Sequence, residues 1–140
     1  ISFFKEINNS LLLGSGFFFE SWNLYPCILE PPKNLEREFG NKNSQNYLIR
    51  KAFPEFDILN QKLTIKYIIN GKFNDEEINI NSKHRLRIFS ITEIEYALQE
   101  AGFSKPEIRS SLPGLNLLRN DLKTMSRMIS FYTKKITLDI

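Results

Sequence analysis

His84 is the only histidine in this 140-residue chain and the one side chain whose ordinary pKa suits proton removal near neutrality. It precedes the alternating Arg85-Leu86-Arg87-Ile88, so it is a candidate general base at the entry of a strand. The competing role for a lone histidine is a solvated strand position. Arg87 offers a fork of donors to an acidic substrate group, although alternation can equally turn it to solvent. Trp22, Asn23 and Tyr25 follow the apolar run Phe17-Phe18-Phe19. If that run is a strand of an open α/β sheet, the three stand at its carboxyl end, beside the crevice where such sheets bind ligands. Each also has a structural alternative. Trp22 suits a core, Asn23 can start a turn, and Tyr25, like Tyr67, can pack with a satisfied hydroxyl. Gly14-Ser15-Gly16 has the composition of a phosphate-cradling turn but follows a helix instead of opening one, so helix termination is its expected role.

Composition removes several kinds of chemistry. The lone cysteine, Cys27, allows no internal disulfide and no cysteine-based metal cluster. It fits a reducing compartment, and a cytoplasmic location is expected. With a single histidine as well, no metal site is expected. The net charge is +3, from 19 basic and 16 acidic residues. The signs are interspersed, and the densest basic patch, Lys83, Arg85 and Arg87, reads as a solvated strand face. No nucleic-acid partner is expected. No apolar run is long enough to span a membrane, and no signal peptide is visible. A small molecule is the expected partner.

These residues need elements to position them. Ser90 to Phe103 reads as a complete helix with both ends marked. Ser90 and Glu93 form a capping box, Phe89 and Ile94 have the spacing of a hydrophobic staple, and Gly102 stands where a left-handed residue stops a helix. Phe3, Phe4, Ile7, Leu11 and Leu12 recur at helical spacing, predicting a helix from Phe3 to Leu13 that Gly14 and Gly16 end. The run Phe17–Phe19 is expected to be a central parallel strand buried on both faces. Residues 24–61 are the least regular, with a short helical turn expected at Leu35–Phe39 and a helix or strand at Tyr47–Phe53. From Leu63 the period is two. Asn70-Gly71 gives the strongest hairpin signal, with Asn74-Asp75 competing, and an antiparallel meander leads into the capped helix. A strand is expected over Lys105–Ser111, a turn at Pro113-Gly114, partial helix over Leu115–Thr124 and a last strand over Met128–Thr133. Because Ile1 lies inside a helix pattern and few strands are visible, the chain is expected to be part of a larger domain.

In this order the elements resemble the C-terminal half of a class I S-adenosylmethionine-dependent methyltransferase. The resemblance rests on Phe4-Lys5-Glu6-Ile7 running to Leu13-Gly14-Ser15-Gly16 and Phe17–Phe19, on the capped helix closing on Ala101-Gly102-Phe103, and on two final strands. It covers nearly the whole chain and is weakest over 24–61. The family's Gly-Gly turn is replaced here by Gly14-Ser15-Gly16. The resemblance implies an α/β fold, the C-terminal part of a Rossmann-like doubly wound mixed sheet with an inserted antiparallel meander. Residues 24–88 would be a substrate-side insertion. It further implies methyl transfer to a small-molecule acceptor with S-adenosylmethionine as cofactor, a reaction that asks more for alignment than for acid–base chemistry. The family's glycine-rich cofactor loop and the acidic residue after it have no counterpart among these residues. No cofactor-binding position is therefore assigned, and the chain alone is expected to be inactive. The expected substrate-binding residues are Trp22, Asn23, Tyr25 and Arg87, with His84 catalytic. The alternatives are a non-catalytic α/β binding module or degenerate relative and, more weakly, a nicotinamide-dependent oxidoreductase.

Overall fold

The computed structural model of the protein describes residues 1–111 and 127–136. The chain forms two compact units, Ile1–Glu30 with Ile88–Ile140 and, between them in sequence, Pro31–Arg87. The segment from 24 to 30, expected within the insertion, belongs to the first unit. The turn expected at Pro113-Gly114 and the helix expected over Leu115–Thr124 lie outside the described residues.

The first unit holds α1 (Ser2–Ser10), β1 (Gly16–Trp22) and α2 (Leu24–Leu29) from its first segment. Numbered along the whole chain, α3 (Ile91–Glu100), β6 (Glu107–Ser110) and β7 (Met128–Lys134) come from its second. Its three strands run in the order β1-β7-β6, with both pairings antiparallel. The expectation of a central parallel strand at Phe17–Phe19 is corrected here. Among the described residues β1 pairs only with β7 and lies at the sheet edge. Nor is the run buried on both faces. Phe17 and Phe19 point inward, whereas Phe18 is 61% exposed on the opposite face. Strand alternation sends neighbouring residues to opposite faces however apolar the run.

The inward face carries the core. Ile94 and Leu98 of α3 pack with Ala101, Phe103, Ile129 and Phe131, and Phe4, Ile7 and Leu11 of the α1 region pack against them. Phe19 and Phe131 are directly paired across β1 and β7, their rings stacked at 4.9 Å and 8°. Such contacts add to burial about 0.5–1.5 kcal/mol per aromatic pair.

Both ends of α3 form as their residues dictate. Ser90 Oγ accepts from the Glu93 amide at 3.1 Å, and Glu93 Oε2 accepts from the Ser90 amide at 2.7 Å. At the other end Gly102 has φ +82°. The Phe103 amide donates to Leu98 O and the Gly102 amide to Gln99 O, each at 3.0 Å. This is the Schellman arrangement, and Phe103 folds under the helix, 1% exposed. The first helix closes earlier than its spacing suggested, at Ser10. Gly14 then takes φ +80°, and Gly16 enters β1 where a Cβ would strike the Tyr132 ring.

The second unit is a four-stranded antiparallel sheet, β2 (Leu35–Gly40), β3 (Tyr47–Asp57), β4 (Lys62–Phe73) and β5 (Glu76–Arg87), in sequence order. Leu35–Phe39 is thus strand, not the expected helical turn, and pairs with β3. The hairpin falls at Asn74-Asp75, not at Asn70-Gly71. Asn74 and Asp75 have φ of +49° and +66°, both positive as a type I′ turn requires. Gly71 instead stays in β4 because a Cβ there would meet the Tyr47 carbonyl oxygen.

Three substitutions test this packing by chemical denaturation. Ser90→Ala should cost about 1 kcal/mol through the lost cap. Gly102→Val should cost more, since a β-branched residue resists positive φ. Lys135→Met, which strips the Asn8 and Leu11 carbonyls of their buried donor, should cost about 2 kcal/mol. Unmoved midpoints would show that these ends do not carry the fold.

Candidate functional site

The main chain leaves β1 at Trp22 and turns at once into α2, with Asn23 as the hinge. Asn23 is 2% exposed. Its amide donates to the Arg127 carbonyl at 2.8 Å, and its Oδ1 accepts from the Tyr25 amide at 3.3 Å, capping α2. The start of α3 is fixed by the capping box at Ser90. Between the two helix starts lies a cleft of about 210 Å³. Asn23, Leu24, Tyr25 and Ile28 line one side, and Ser90, Ile91 and Thr92 the other. It adjoins the carboxyl end of β1, since Asn23 follows Trp22 directly. The lining has hydroxyls on Tyr25, Ser90 and Thr92, apolar walls from Leu24, Ile28 and Ile91, and no charged side chain. Such a surface can seat a small neutral or weakly polar group. A second hollow of about 250 Å³ lies on the outer sheet face, among Phe18, Arg109 and Tyr132, away from the strand ends.

Within α2, Cys27 is fully buried. Burial raises its thiol pKa above the ordinary value, and the neighbouring Arg127 only partly offsets this. Arg127 Nη2 donates to Glu30 O at 2.8 Å, tying the end of α2 to the residue before β7. Cys27 therefore has the environment of an inert packing thiol.

The residues singled out from the sequence divide between the units. Asn23 and Tyr25 meet in the cleft. Trp22, one residue earlier, is half-buried at the β1 terminus opposite Met128. His84 and Arg87 belong to β5 of the second unit. His84 is exposed, paired with Ile65, its ring edge-on to Tyr67 at 5.2 Å. Arg87 is paired with Lys62 and, three positions on, lies on the opposite face of that sheet. The sequence did not mark Ser90 and Thr92 as cleft residues, because a cap signals a helix start without telling what the helix start faces. Among the described residues no group of three or more potential ligands could hold a metal ion, and no helix is long and apolar enough to cross a membrane.

A solved S-adenosylmethionine-dependent methyltransferase of Clostridium acetobutylicum superposes on 96% of this chain with a TM-score of 0.70 at 12% identity. The CcbJ methyltransferase of Streptomyces caelestis does so on 96% with a TM-score of 0.61 at 14% identity. The fold is shared with part of each of these two structures. The chain spans about half the length of each, 50% and 49%. No family model and no curated protein matches the sequence. The likeness thus rests on element order and packing. The first unit combines an antiparallel β1-β7-β6 sheet with the two helices α1 and α3 on its inward face.

Raised by burial, the Cys27 pKa in the folded chain exceeds its unfolded value. The stability this thiol contributes is therefore present below the unfolded pKa and lost as pH rises through the folded one. Iodoacetamide at pH 8 should leave Cys27 unmodified in the native chain and alkylate it fully in denaturant, read by intact mass. Rapid native labelling would contradict its burial.

Proposed function

We propose that this chain is part of an S-adenosylmethionine-dependent methyltransferase acting on a small molecule, and that the cleft at the end of β1 belongs to the acceptor side. One observation carries the reading: a neutral, hydroxyl-lined cleft sits at the carboxyl end of a strand in a fold shared with two such enzymes. The described residues do not themselves fit the cofactor. No glycine-rich strand-to-helix turn is present among them, and the cleft lining offers no carboxylate for a ribose.

When bound, S-adenosylmethionine supplies an activated methyl group. What remains for these residues is to orient an acceptor and exclude water. Tyr25 and Thr92 can hold a polar atom of the acceptor between their hydroxyls, while Ile28 and Ile91 pack its apolar part. Trp22 closes the strand end behind them. The chain alone would be inactive, since the activity belongs to the whole protein.

The whole protein, given S-adenosylmethionine with a tritiated methyl group and a panel of small hydroxyl and amine compounds, should transfer label to a small molecule. Tyr25→Ala should raise the acceptor KM while leaving cofactor affinity nearly unchanged. Label transferred only to protein or nucleic acid would sink the reading. Calorimetry on the 140-residue chain should show negligible binding of S-adenosylmethionine, and micromolar binding would contradict the division of roles.

A further inference from the structure

The sheet of the second unit has two unlike faces. Residues paired across strands share a face, and neighbours along a strand do not. Arg37 pairs with Arg50, Arg50 with Ile69, and Ile69 with Ile80. These four residues form one straight row across all four strands, cationic at one end and apolar at the other. His84 is on the same face. Of the acidic residues in these strands, only Glu76, at the hairpin tip, falls on that side. The opposite face holds the ion pairs Lys51–Glu36 and Lys66–Glu55.

Two arginines directly opposite each other repel, and among the described residues neither has an acidic partner. Arg50 is held by rings instead. Its guanidinium carbon lies 5.9 Å from the centroid of Phe39 and 5.5 Å from that of Tyr67. Cation–π contact balances the charge without a carboxylate, and the guanidinium carries five N–H donors that suit a planar anion. A row of four strands spans about 14 Å, enough for a carboxylate at the arginines and a flat apolar body over Ile69 and Ile80. Ile80 is 50% exposed.

We propose that Arg37 and Arg50 bind the carboxylate of a small organic acid whose flat apolar body lies along Ile69 and Ile80. The site lies wholly within the second unit, and its binding requires no methyl transfer. The charge on the face selects an acid over its neutral analogue, and the length of the apolar row favours a two-ring body over a single ring.

The test is an NMR titration of the 140-residue chain with 2-naphthoate and with neutral 2-naphthamide, following the Ile69 and Ile80 methyl groups and the arginine Nε–H signals. The acid should give saturable shifts at these positions, with the amide about tenfold weaker or more. Arg37→Gln should weaken naphthoate about tenfold and at the same time raise the thermal midpoint of the free chain, because it removes the repulsion. A purely structural arginine would move both readouts downward. Arg50→Lys keeps the charge but not the planar fork and should also weaken binding. Equal affinity for acid and amide, absence of saturable shifts, or unchanged naphthoate affinity in Arg37→Gln would overturn the site.

Discussion

Lys135 Nζ donates to the carbonyls of Asn8 at 2.9 Å and Leu11 at 3.0 Å, at the point where α1 runs out of its own hydrogen-bond donors. The side chain is 5% exposed, and burying an ammonium costs several kcal/mol unless its environment compensates. Here the compensation is the negative end of a helix. Asn8, itself buried, donates from Nδ2 to the Gly102 carbonyl at 3.1 Å. Gly102 O also accepts from the Ile136 amide, and the Lys135 main chain exchanges hydrogen bonds with Gly14 and Ser15. The end of α1, the end of α3, the entry to β1 and the exit from β7 are thus joined at one polar knot. The phenylalanine core rests on it, since Phe17, Phe19, Phe103 and Phe131 all lie one or a few residues from a strand or helix end that the knot fixes.

With those ends fixed, the opposite ends of the same elements are placed as well. β1 delivers Asn23 to the start of α2, and α3 begins at Ser90, so the cleft is a consequence of two capped helix starts. Its neutrality follows from the same cause. Ser90 and Asn23 are present because caps need short polar side chains, and the remaining lining residues are uncharged positions in the first turns of the two helices. The second unit works by different physics. It is a sheet stabilised by long antiparallel ladders, with its charges sorted by face through strand alternation.

The elements with strong local signals were legible in the sequence. Ser90, Glu93, Gly102 and Phe103 specify α3 through contacts no more than five residues apart, and the final strand follows from its apolar alternation. Tyr25 and Asn23 were legible as residues following a strand. The direction of β1 was not, because Phe17-Phe18-Phe19 reads alike whether its partner is parallel or antiparallel. Residues 35–57 were obscured because Arg37, Arg50 and Pro54 interrupt the apolar alternation, so the arginine pair emerges only when register sets the two strands side by side. Asn70-Gly71 misled because a glycine demanded by close backbone approach looks the same in sequence as one demanded by a turn. The knot at Lys135 joins residues up to 127 positions apart, and nothing local marks it.

The account turns on the carboxyl end of β1 being the reacting side of the fold. The most direct measurement is an amide chemical-shift map of the whole protein titrated with the small-molecule acceptor that takes up label in the tritium transfer assay. Perturbations should reach Asn23, Tyr25, Ser90 and Thr92 and leave Glu107, Arg109 and Tyr132 on the outer sheet face silent. A saturable response centred on the outer face, or one that leaves the cleft unmoved, would contradict it.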